Sequence, residues 1–345
     1  MAIRWGIIGC GNVCEVKSGP GLAKAQGSEL VAVMRRDGAK ARDYAQRHGV
    51  ARWYDDADAL IHDPQVDAVY VATPVGTHCE YALRICQAGK PAYIEKPMAR
   101  NYAECGRMVE AFERARLPLF VAYYRRGLPR FLQARELIET GRIGQVTGVT
   151  YRCSSASHQR TDPKNLPWRF VAADAGGGLF MDIGSHTLDI LDLLVGPLED
   201  VQGMAANVAG VYDVEDVVAM QFRTRSGGLG TASWNFASAV GDDTIEISGT
   251  AGRIIMTCFG NEPVQVHTAA GVETFDRPNP PHIQQPLIQT MVNQLLGKGT
   301  CESTGVSAAR TAKVMDKVLE GYYGTRADGF WERPENWPGL RGARR

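Results

Sequence analysis

Two short segments of the sequence carry residue types suited to acid–base chemistry. Glu95 and Lys96 precede a proline in YIEKPMA, and Asp182 and His186 stand four residues apart in AGGGLFMDIGSHTLDIL. A histidine titrates near neutrality and can exchange a proton with a substrate, and an ammonium group stabilises negative charge that develops on a nearby oxygen. This pair suits reduction of a ketone or oxidation of an alcohol, because both directions move a proton at an oxygen.

Each segment also has a structural explanation. A Glu–Lys pair before a proline is often a solvated pair at a turn. We predict a helix around residues 182–194, which puts Asp182 and His186 on one face. In that helix Asp182 is alternatively an N-cap and His186 a core residue. Trp168, in the LPWRF segment, is alternatively a buried anchor without a functional role.

A glycine-rich turn follows the first predicted strand. The residues Gly9-Cys10-Gly11 begin a G-x-G-x-x-G spacing that has Cys14 in the third glycine position. The first glycine permits a tight turn, the second lets the backbone approach a pyrophosphate, and the third position needs only a small residue. We predict that this turn binds a dinucleotide through Gly9, Gly11, Asn12 and Val13.

The residues after the second predicted strand indicate the choice of nucleotide. Arg35 and Arg36 stand where NAD-binding domains often carry an acid that binds the ribose diol, and Asp37 comes only afterwards. Arginine pairs with a 2′-phosphate through two parallel hydrogen bonds, or stacks on the adenine, whereas a carboxylate repels the phosphate. We therefore predict NADP(H), with NAD(H) as the alternative cofactor; two solvated loop arginines are the structural alternative.

The first third of the chain alternates strand-like and helical patterns. The strand-like runs are almost continuously apolar, as strands covered on both faces are, and predict a parallel Rossmann sheet. They span 3–8, 30–34, 68–73, 91–95 and 119–123. A proline between two glycines predicts a break in the helical pattern over residues 17–22.

The pattern changes after residue 123. Five runs with turn-length gaps such as RSGG and GTAG predict a mostly antiparallel sheet, which the family resemblance given below implies is open; they span 145–154, 217–224, 229–238, 244–249 and 253–258. We predict helices around 182–194 and 307–323, and an irregular tail over 333–345. The fold class is therefore α/β, with an NAD(P)-binding Rossmann domain over 1–122 and a second α/β domain over 123–345; the family resemblance given below implies that the second domain binds substrate and forms the oligomer.

Composition excludes several other classes. Lysine plus arginine equals aspartate plus glutamate, 38 each, so no net charge favours nucleic acid or an anionic membrane. No apolar run approaches the length of a membrane span. The eight cysteines form no Cys-x-x-Cys pair, so we predict buried thiols and no metal site. We expect a cytoplasmic protein.

The motifs together resemble those of the Gfo/Idh/MocA oxidoreductases, the glucose–fructose oxidoreductase and inositol dehydrogenase family. The resemblance rests on G-x-G after the first strand, Ala72-Thr73-Pro74 with His78, EKP, GGG-L-x-x-D-x-G-x-H-x-x-D and Trp-Arg, and it covers about residues 3–325. It is nearest to 1,5-anhydro-D-fructose reductase-like members, with trans-dihydrodiol dehydrogenases more distant.

The resemblance implies roles for individual residues. Lys96 contacts cofactor and substrate hydroxyl, and Asp182 and His186 complete the catalytic set. Thr73, Pro74, His78 and Glu95 line the cofactor side. The segment VAYYRR departs from the usual family pattern, so we expect Tyr123 and Tyr124, with Trp168 and Arg169, to shape the choice of substrate.

The function predicted on this basis is NADP(H)-dependent hydride transfer at a carbonyl or hydroxyl carbon of a sugar, anhydrosugar or polyol. One alternative is an NAD-dependent inositol or trans-dihydrodiol dehydrogenase of the same family. Another is a non-catalytic, nucleotide-binding regulator. The resemblance also implies a homodimer or tetramer that forms through the open sheet of the second domain.

Overall fold

A computed structural model of the protein describes residues 2–162, 164–327 and 329–333. Within these ranges the chain forms two β-sheets. The strands are β1 (Ile3–Ile8), β2 (Ser28–Met34), β3 (Arg52–Tyr54), β4 (Ala68–Val71), β5 (Ala92–Ile94), β6 (Leu119–Val121), β7 (Val146–Ser154), β8 (Glu199–Ala206), β9 (Val217–Arg223), β10 (Leu229–Asn235), β11 (Asp242–Gly249), β12 (Gly252–Met256), β13 (Val264–Thr268) and β14 (Gly271–Phe275).

Helices connect and cover these strands. The α-helices are α1 (Asn12–Val16), α2 (Ser18–Lys24), α3 (Gly38–His48), α4 (Ala57–Ile61), α5 (His78–Gln87), α6 (Tyr102–Ala115), α7 (Pro129–Glu139), α8 (Ala172–Ala175), α9 (Ser185–Val195), α10 (Gln285–Leu295) and α11 (Gly305–Tyr323). A π-helical turn, Phe180–Gly184, leads directly into α9. Short 3₁₀ turns span Val75–Thr77, Tyr124–Gly127, Ser157–Arg160, Trp168–Phe170 and Phe330–Glu332.

The chain divides into two compact units. The first comprises Met1–Ala99, Glu104–Leu128 and Pro280–Ala309, and the second comprises Arg100–Ala103, Pro129–Asn279 and Arg310–Arg345. The predicted domain limit between residues 122 and 123 stays a prediction. The irregular tail predicted for 333–345 lies outside the described residues from position 334 onward.

The first unit contains the predicted parallel Rossmann sheet. Its strand order is β3-β2-β1-β4-β5-β6, and every neighbouring pair is parallel. All five predicted strand runs are present, and the runs near 68–73, 91–95 and 119–123 are shorter than predicted. The sequence analysis missed β3, which is three residues long and has no buried residue. The order reverses between β1 and β4, and ligands of such sheets bind at the carboxyl ends of the strands flanking this point.

The helical pattern is broken near residues 17–22 as predicted, but the break does not lie at the proline. The helical pattern is interrupted at Lys17, between α1 and α2, and Pro20 is the third residue of α2. Proline is tolerated in the first turn of a helix, because the N–H that it lacks has no partner inside the helix there.

The second unit contains the predicted open, mostly antiparallel sheet. Its order is β14-β13-β12-β11-β7-β10-β9-β8, and only β7 and β10 pair in parallel among the described strands. The five predicted runs correspond to β7, β9, β10, β11 and β12. The two edge strands β8 and β14 were missed because they have almost no apolar face: neither contains a buried residue.

Two further observations concern the cysteines and the helices. All eight cysteines are free thiols, and all except Cys86 are buried. No helix in the described part of the chain combines the length and the apolar character that crossing a membrane requires.

Candidate active site

The glycine turn after β1 lies against the segment that follows β4. Gly9 has φ +88°, a conformation that L side chains rarely adopt. A Cβ at Gly9 would lie 2.8 Å from Cγ2 of Thr73 and 3.0 Å from the Ala72 carbonyl. The backbone N–H of Gly9 donates to the carbonyl of Met34, at the end of β2, at 2.9 Å. Glycine is therefore required at position 9 both by the conformation and by the space available.

The two cysteines of this turn are uncharged groups. Burial raises the pKa of the Cys10 thiol to about 11, so it places no negative charge beside Gly11 at neutral pH. Cys14, in the third position of the glycine motif, is fully buried, and its Sγ lies 3.8 Å from the Gly9 carbonyl oxygen. A cysteine thus fits where the motif usually has glycine. Asn12 and Val13 form the first turn of α1, the former exposed and the latter half-buried.

The arginine pair lies directly after β2. The Arg35 backbone N–H donates to the Tyr54 carbonyl at 3.2 Å; its side chain is half-buried, and Arg36 is exposed. Neither guanidinium forms a hydrogen bond or ion pair with another described residue. Asp37, the acid that follows, is the N-cap of α3: its Oδ1 accepts from the Lys40 N–H at 3.2 Å, and its Oδ2 lies 2.9 Å from Lys40 Nζ.

His78 joins the segments that follow β4 and β5. Its ring is fully buried, with Nε2 2.9 Å from the Thr73 carbonyl oxygen and Nδ1 3.1 Å from that of Pro97. Burial lowers the pKa of His78, although its hydrogen bonds to these carbonyls favour the charged ring. His78 thus supports the loop rather than forming its surface, whereas Pro74 is exposed.

Glu95 is directed into the core of the first unit. Its Oε1 accepts from the Tyr70 hydroxyl at 2.5 Å and from Gln284 Nε2 at 2.9 Å, and its Oε2 accepts from the Lys96 backbone N–H at 3.1 Å. The Tyr93 hydroxyl donates to Gln284 Oε1 at 2.9 Å. This network fixes the backbone at Lys96, whose side chain is half-buried. The explanation of Glu95 and Lys96 as a solvated pair is therefore wrong for Glu95, which is 8% exposed.

The sequence analysis missed the partners of Glu95. Tyr70 and Tyr93 look like ordinary members of apolar strands, and their rings stack with centroids 4.6 Å apart. Gln284 lies 189 residues from Glu95 in the chain, next to α10. No local spacing connects the two positions, and only the folded chain reveals the pair.

The two tyrosines expected to shape substrate choice belong to the first unit. Tyr123 is 1% exposed and Tyr124 is 6% exposed, and the Lys17 ammonium lies 5.9 Å from the centroid of the Tyr124 ring. Both residues are therefore almost completely buried within the protein. Their role in substrate choice stays a prediction.

In the second unit, Asp182 pairs with Arg169. The Arg169 Nε donates to Asp182 Oδ2 at 3.3 Å, and the Arg169 guanidinium lies 5.2 Å from the Trp168 ring centroid. The Asp182 side chain is 17% exposed. Trp168 is 37% exposed, so the explanation of this residue as a buried anchor is wrong.

The helix predicted around 182–194 is not regular at its start. Asp182 lies inside the π-helical turn Phe180–Gly184, so it is not the N-cap of α9. Because a π-helix bonds residue i to i+5, the four-residue spacing from Asp182 to His186 does not correspond to one α-helical turn. Such turns are frequent at functional sites. His186 is 4% exposed and forms an edge-to-face contact with Phe259, centroids 6.1 Å apart.

The predicted site residues thus form two sets. The first unit contains the glycine turn, the arginine pair, the Thr73 and His78 segment, Lys96 and the two tyrosines; the second contains Trp168, Arg169, Asp182 and His186. Among the residues that the structure describes, no group of three or more His, Cys, Asp or Glu side chains is arranged to hold a metal ion.

Comparison with known proteins identifies the family. The profile of the oxidoreductase family with an NAD-binding Rossmann fold matches residues 3–123, and that of the GFO/IDH/MocA C-terminal domain matches residues 131–255. The chain is 37% identical to Oxidoreductase P35 of Formosa agariphila over 317 residues, which are 91% of this chain and 97% of that protein.

Other relatives have named activities. The chain is 28% identical to 1,5-anhydro-D-fructose reductase of Ensifer adhaerens, over 88% of this chain and 91% of that one. It is 30% identical to myo-inositol 2-dehydrogenase of Thermotoga maritima, over 73% and 74%. A structure of levoglucosan dehydrogenase in complex with NADH has the same fold, with a TM-score of 0.85 at 23% identity, covering 93% of this chain and 97% of that chain. The protein therefore belongs to the Gfo/Idh/MocA family of oxidoreductases, and its first unit is an NAD(P)-binding Rossmann domain.

Proposed function

We propose that this enzyme is an NADP(H)-dependent oxidoreductase that acts at a carbonyl or hydroxyl carbon of a sugar, anhydrosugar or polyol. The cofactor choice rests on which of the charged residues after β2 already have a partner within the protein. Arg35 and Arg36 have no ion-pair partner in the described chain, and the acid beside them, Asp37, caps α3. The substrate class rests on the relatives named for 1,5-anhydro-D-fructose and myo-inositol.

The residues around the glycine turn fit a dinucleotide. A Cβ at Gly11 would meet only the Gly9 carbonyl oxygen, at 3.8 Å, so the space over this turn is open to a ligand. The neighbouring thiols are uncharged and do not repel a pyrophosphate. Gly9, Gly11, Asn12 and Val13 hold the pyrophosphate end, and Arg35 and Arg36 hold the 2′-phosphate. Thr73 and Pro74 complete the cofactor side of the site, and the buried His78 ring supports the loop that contains them.

The catalytic roles follow from the chemistry of three side chains. When bound, NADP(H) supplies or accepts the hydride. The Lys96 ammonium stabilises negative charge on the substrate oxygen, and the His186 imidazole gives that oxygen a proton or removes one. Asp182 is held by Arg169 and binds a neighbouring hydroxyl or orients the imidazole. The Glu95 network keeps the Lys96 backbone fixed while this occurs.

Substrate choice is assigned to the aromatic residues of the two sets. Trp168 exposes more than a third of its surface and has Arg169 over its face, an arrangement that suits stacking on the apolar face of a sugar ring. Tyr123 and Tyr124 are proposed to take part in substrate choice.

The open face of the second sheet is the proposed surface for self-association. Met204, Ala219 and Ser233 stand side by side on β8, β9 and β10, and Gln221 pairs with Thr231 in the next row. Met204 is 72% exposed. We expect a homodimer or tetramer in solution, and a change of Thr231 to arginine should shift the mass measured by light scattering toward the monomer. An unchanged mass would exclude this face.

The test of the proposed function is a pair of measurements on the wild-type enzyme. Fluorescence titration with NADPH and NADH should show tighter binding of NADPH, and turnover with a panel of ketoses, osones, polyols and cyclitols should follow with that cofactor. Equal or tighter binding of NADH would favour the NAD-dependent alternative, which the NADH complex of levoglucosan dehydrogenase makes worth testing. Cofactor binding without turnover of any of these compounds would contradict the proposed substrate class.

A further inference from the structure

The segment that precedes the π-turn has almost no space for side chains. Gly176 has φ +85°, and a Cβ there would lie 2.6 Å from the Arg100 carbonyl oxygen. A Cβ at Gly178 would lie 2.2 Å from the Glu215 carbonyl oxygen. Phe180, two residues later, begins the π-turn that contains Asp182. The position of this turn therefore depends on how residues 176–178 are held.

Glu215 holds this segment from one side. Its side chain is fully buried, and both of its carboxylate oxygens accept from the Gly178 backbone N–H at 2.9 Å. The Tyr323 hydroxyl, at the end of α11, donates to Oε2 at 2.6 Å. Burial raises the pKa of the Glu215 carboxyl, although the Tyr323 and Gly178 hydrogen bonds and the charge of Arg326 favour its ionised form.

Arg326 holds the same segment at a second backbone group. Its side chain is 1% exposed; one terminal nitrogen donates to the Gly176 carbonyl and the other to the carboxylate of Asp316. Its guanidinium carbon lies 5.3 Å from the centroid of the Tyr323 ring. The Glu215 carboxylate thus accepts from the Gly178 N–H, and the Arg326 guanidinium donates to the Gly176 carbonyl. The two side chains bind backbone groups two residues apart.

We infer that Glu215 is a positioning residue, which together with Arg326 and Tyr323 fixes the glycine segment 176–178 and thereby sets the place of Asp182 and His186. The inference deepens the proposed function and rests on it for the catalytic role of those two residues. Burying a carboxylate and a guanidinium is a costly way to stabilise a fold, because both groups lose their hydration. It is suited to fixing one backbone conformation, since each charge tolerates few alternative arrangements.

Two variants and one matched control test the inference. Glu215→Gln keeps the shape but replaces one acceptor oxygen by an amide that cannot accept from Gly178 or Tyr323. Tyr323→Phe removes one hydroxyl and keeps the ring beside Arg326. The control is Tyr322→Phe, which removes the adjacent hydroxyl; that group donates to the Asp213 carbonyl at 2.8 Å, whereas the hydroxyl that donates to Glu215 is that of Tyr323.

The first readout is hydrogen exchange, which does not depend on activity. We expect amide hydrogen exchange in residues 176–190 to be about tenfold faster or more in Glu215→Gln and Tyr323→Phe than in the wild type. Exchange in residues 3–16 of these variants should not change. The Tyr322→Phe control should exchange like the wild type. Equal acceleration across the whole chain, or none in 176–190, would overturn the inference. If Glu215→Gln does not fold, Tyr323→Phe decides the matter.

The second readout is kinetic. We expect kcat to fall by about 10- to 100-fold, because a displacement of about 1 Å at a catalytic group has this effect, and the pH midpoint of kcat to move. The Kd for NADPH should stay unchanged. A lower kcat with an unchanged pH profile would mean only loss of folded enzyme and would contradict a positioning role. If the wild type turns over no substrate, the proposed function fails, whereas the exchange result still decides how the segment is held.

Discussion

Replacing Arg35 with alanine should weaken NADPH binding far more than NADH binding. The side chain has no ion pair inside the described protein, so its removal leaves no carboxylate unpaired and the effect falls on the ligand. Two parallel bonds from a half-buried guanidinium to phosphate contribute about 2 kcal/mol, which corresponds to about a 30-fold increase in the Kd for NADPH. The Kd for NADH should change by less than about threefold, because NADH lacks the phosphate.

Arg35→Asp should have a larger effect. A carboxylate about 6 Å from a phosphate that carries nearly two charges adds roughly 1 kcal/mol of repulsion, even in water. The total of about 3 kcal/mol corresponds to about a 150-fold increase in the Kd for NADPH. The new acid can also accept hydrogen bonds from the ribose diol, so the preference should approach that of an NAD-dependent enzyme or reverse.

The assay is nicotinamide fluorescence titration at two salt concentrations. In the wild type, the Kd for NADPH should rise with salt, and this rise should be smaller in Arg35→Ala, because one charge pair is missing. Arg114→Ala is the matched control: Arg114 lies on α6 and its side chain is 76% exposed. If Arg35→Ala raises the Kd values for NADPH and NADH by the same factor, Arg35 does not read the 2′-phosphate and the argument is refuted.

Three further predictions concern catalysis and stability. Lys96→Met or His186→Ala should lower kcat by about 100-fold or more while NADPH still binds; near-wild-type turnover would remove that residue from the mechanism. Tyr70→Phe removes a hydroxyl from the network behind the EKP segment, so the free energy of unfolding should fall by about 2 kcal/mol and kcat should fall with it; Tyr102→Phe is the exposed control. Arg47 and a neighbouring histidine lower the pKa of Glu15 from 4.5 to about 2. Ionised Glu15 therefore stabilises the folded protein above pH 4.5, and this contribution to the free energy of unfolding is lost as the pH falls toward 2. Urea titrations of wild type and Glu15→Gln should give different free energies of unfolding at pH 6 and converge near pH 2.

The sequence alone was sufficient for the parts of the molecule that depend on local patterns. Continuous apolar runs predicted the parallel sheet, since strands buried on both faces need apolar residues at every position. The turn-separated runs predicted most of the second sheet. The capping role of Asp37 also has a local signal, an acid directly before the helical residues of α3, which the sequence analysis did not use.

The tertiary structure decided how the predicted residues are used. Glu95 points into the core because Tyr70 and Gln284 meet it there, and Gln284 is 189 residues away. The edge strands β8 and β14 are strands because a neighbour pairs with their backbone, although their side chains are exposed.

The same distinction holds in the second unit. The sequence provides Asp182 and His186 at a spacing that favours a shared helix face, but the π-turn changes their relation, and Arg169, thirteen residues earlier, binds Asp182. Glu215 has no local mark of its role: its partners are Gly178, thirty-seven residues before it, and Tyr323, more than a hundred residues after it. A periodic pattern records which face of an element is buried, whereas a hydrogen bond between distant segments leaves no period in the sequence. The motifs therefore predicted the family and the fold class, and the folded chain determined which residues hold the others in place.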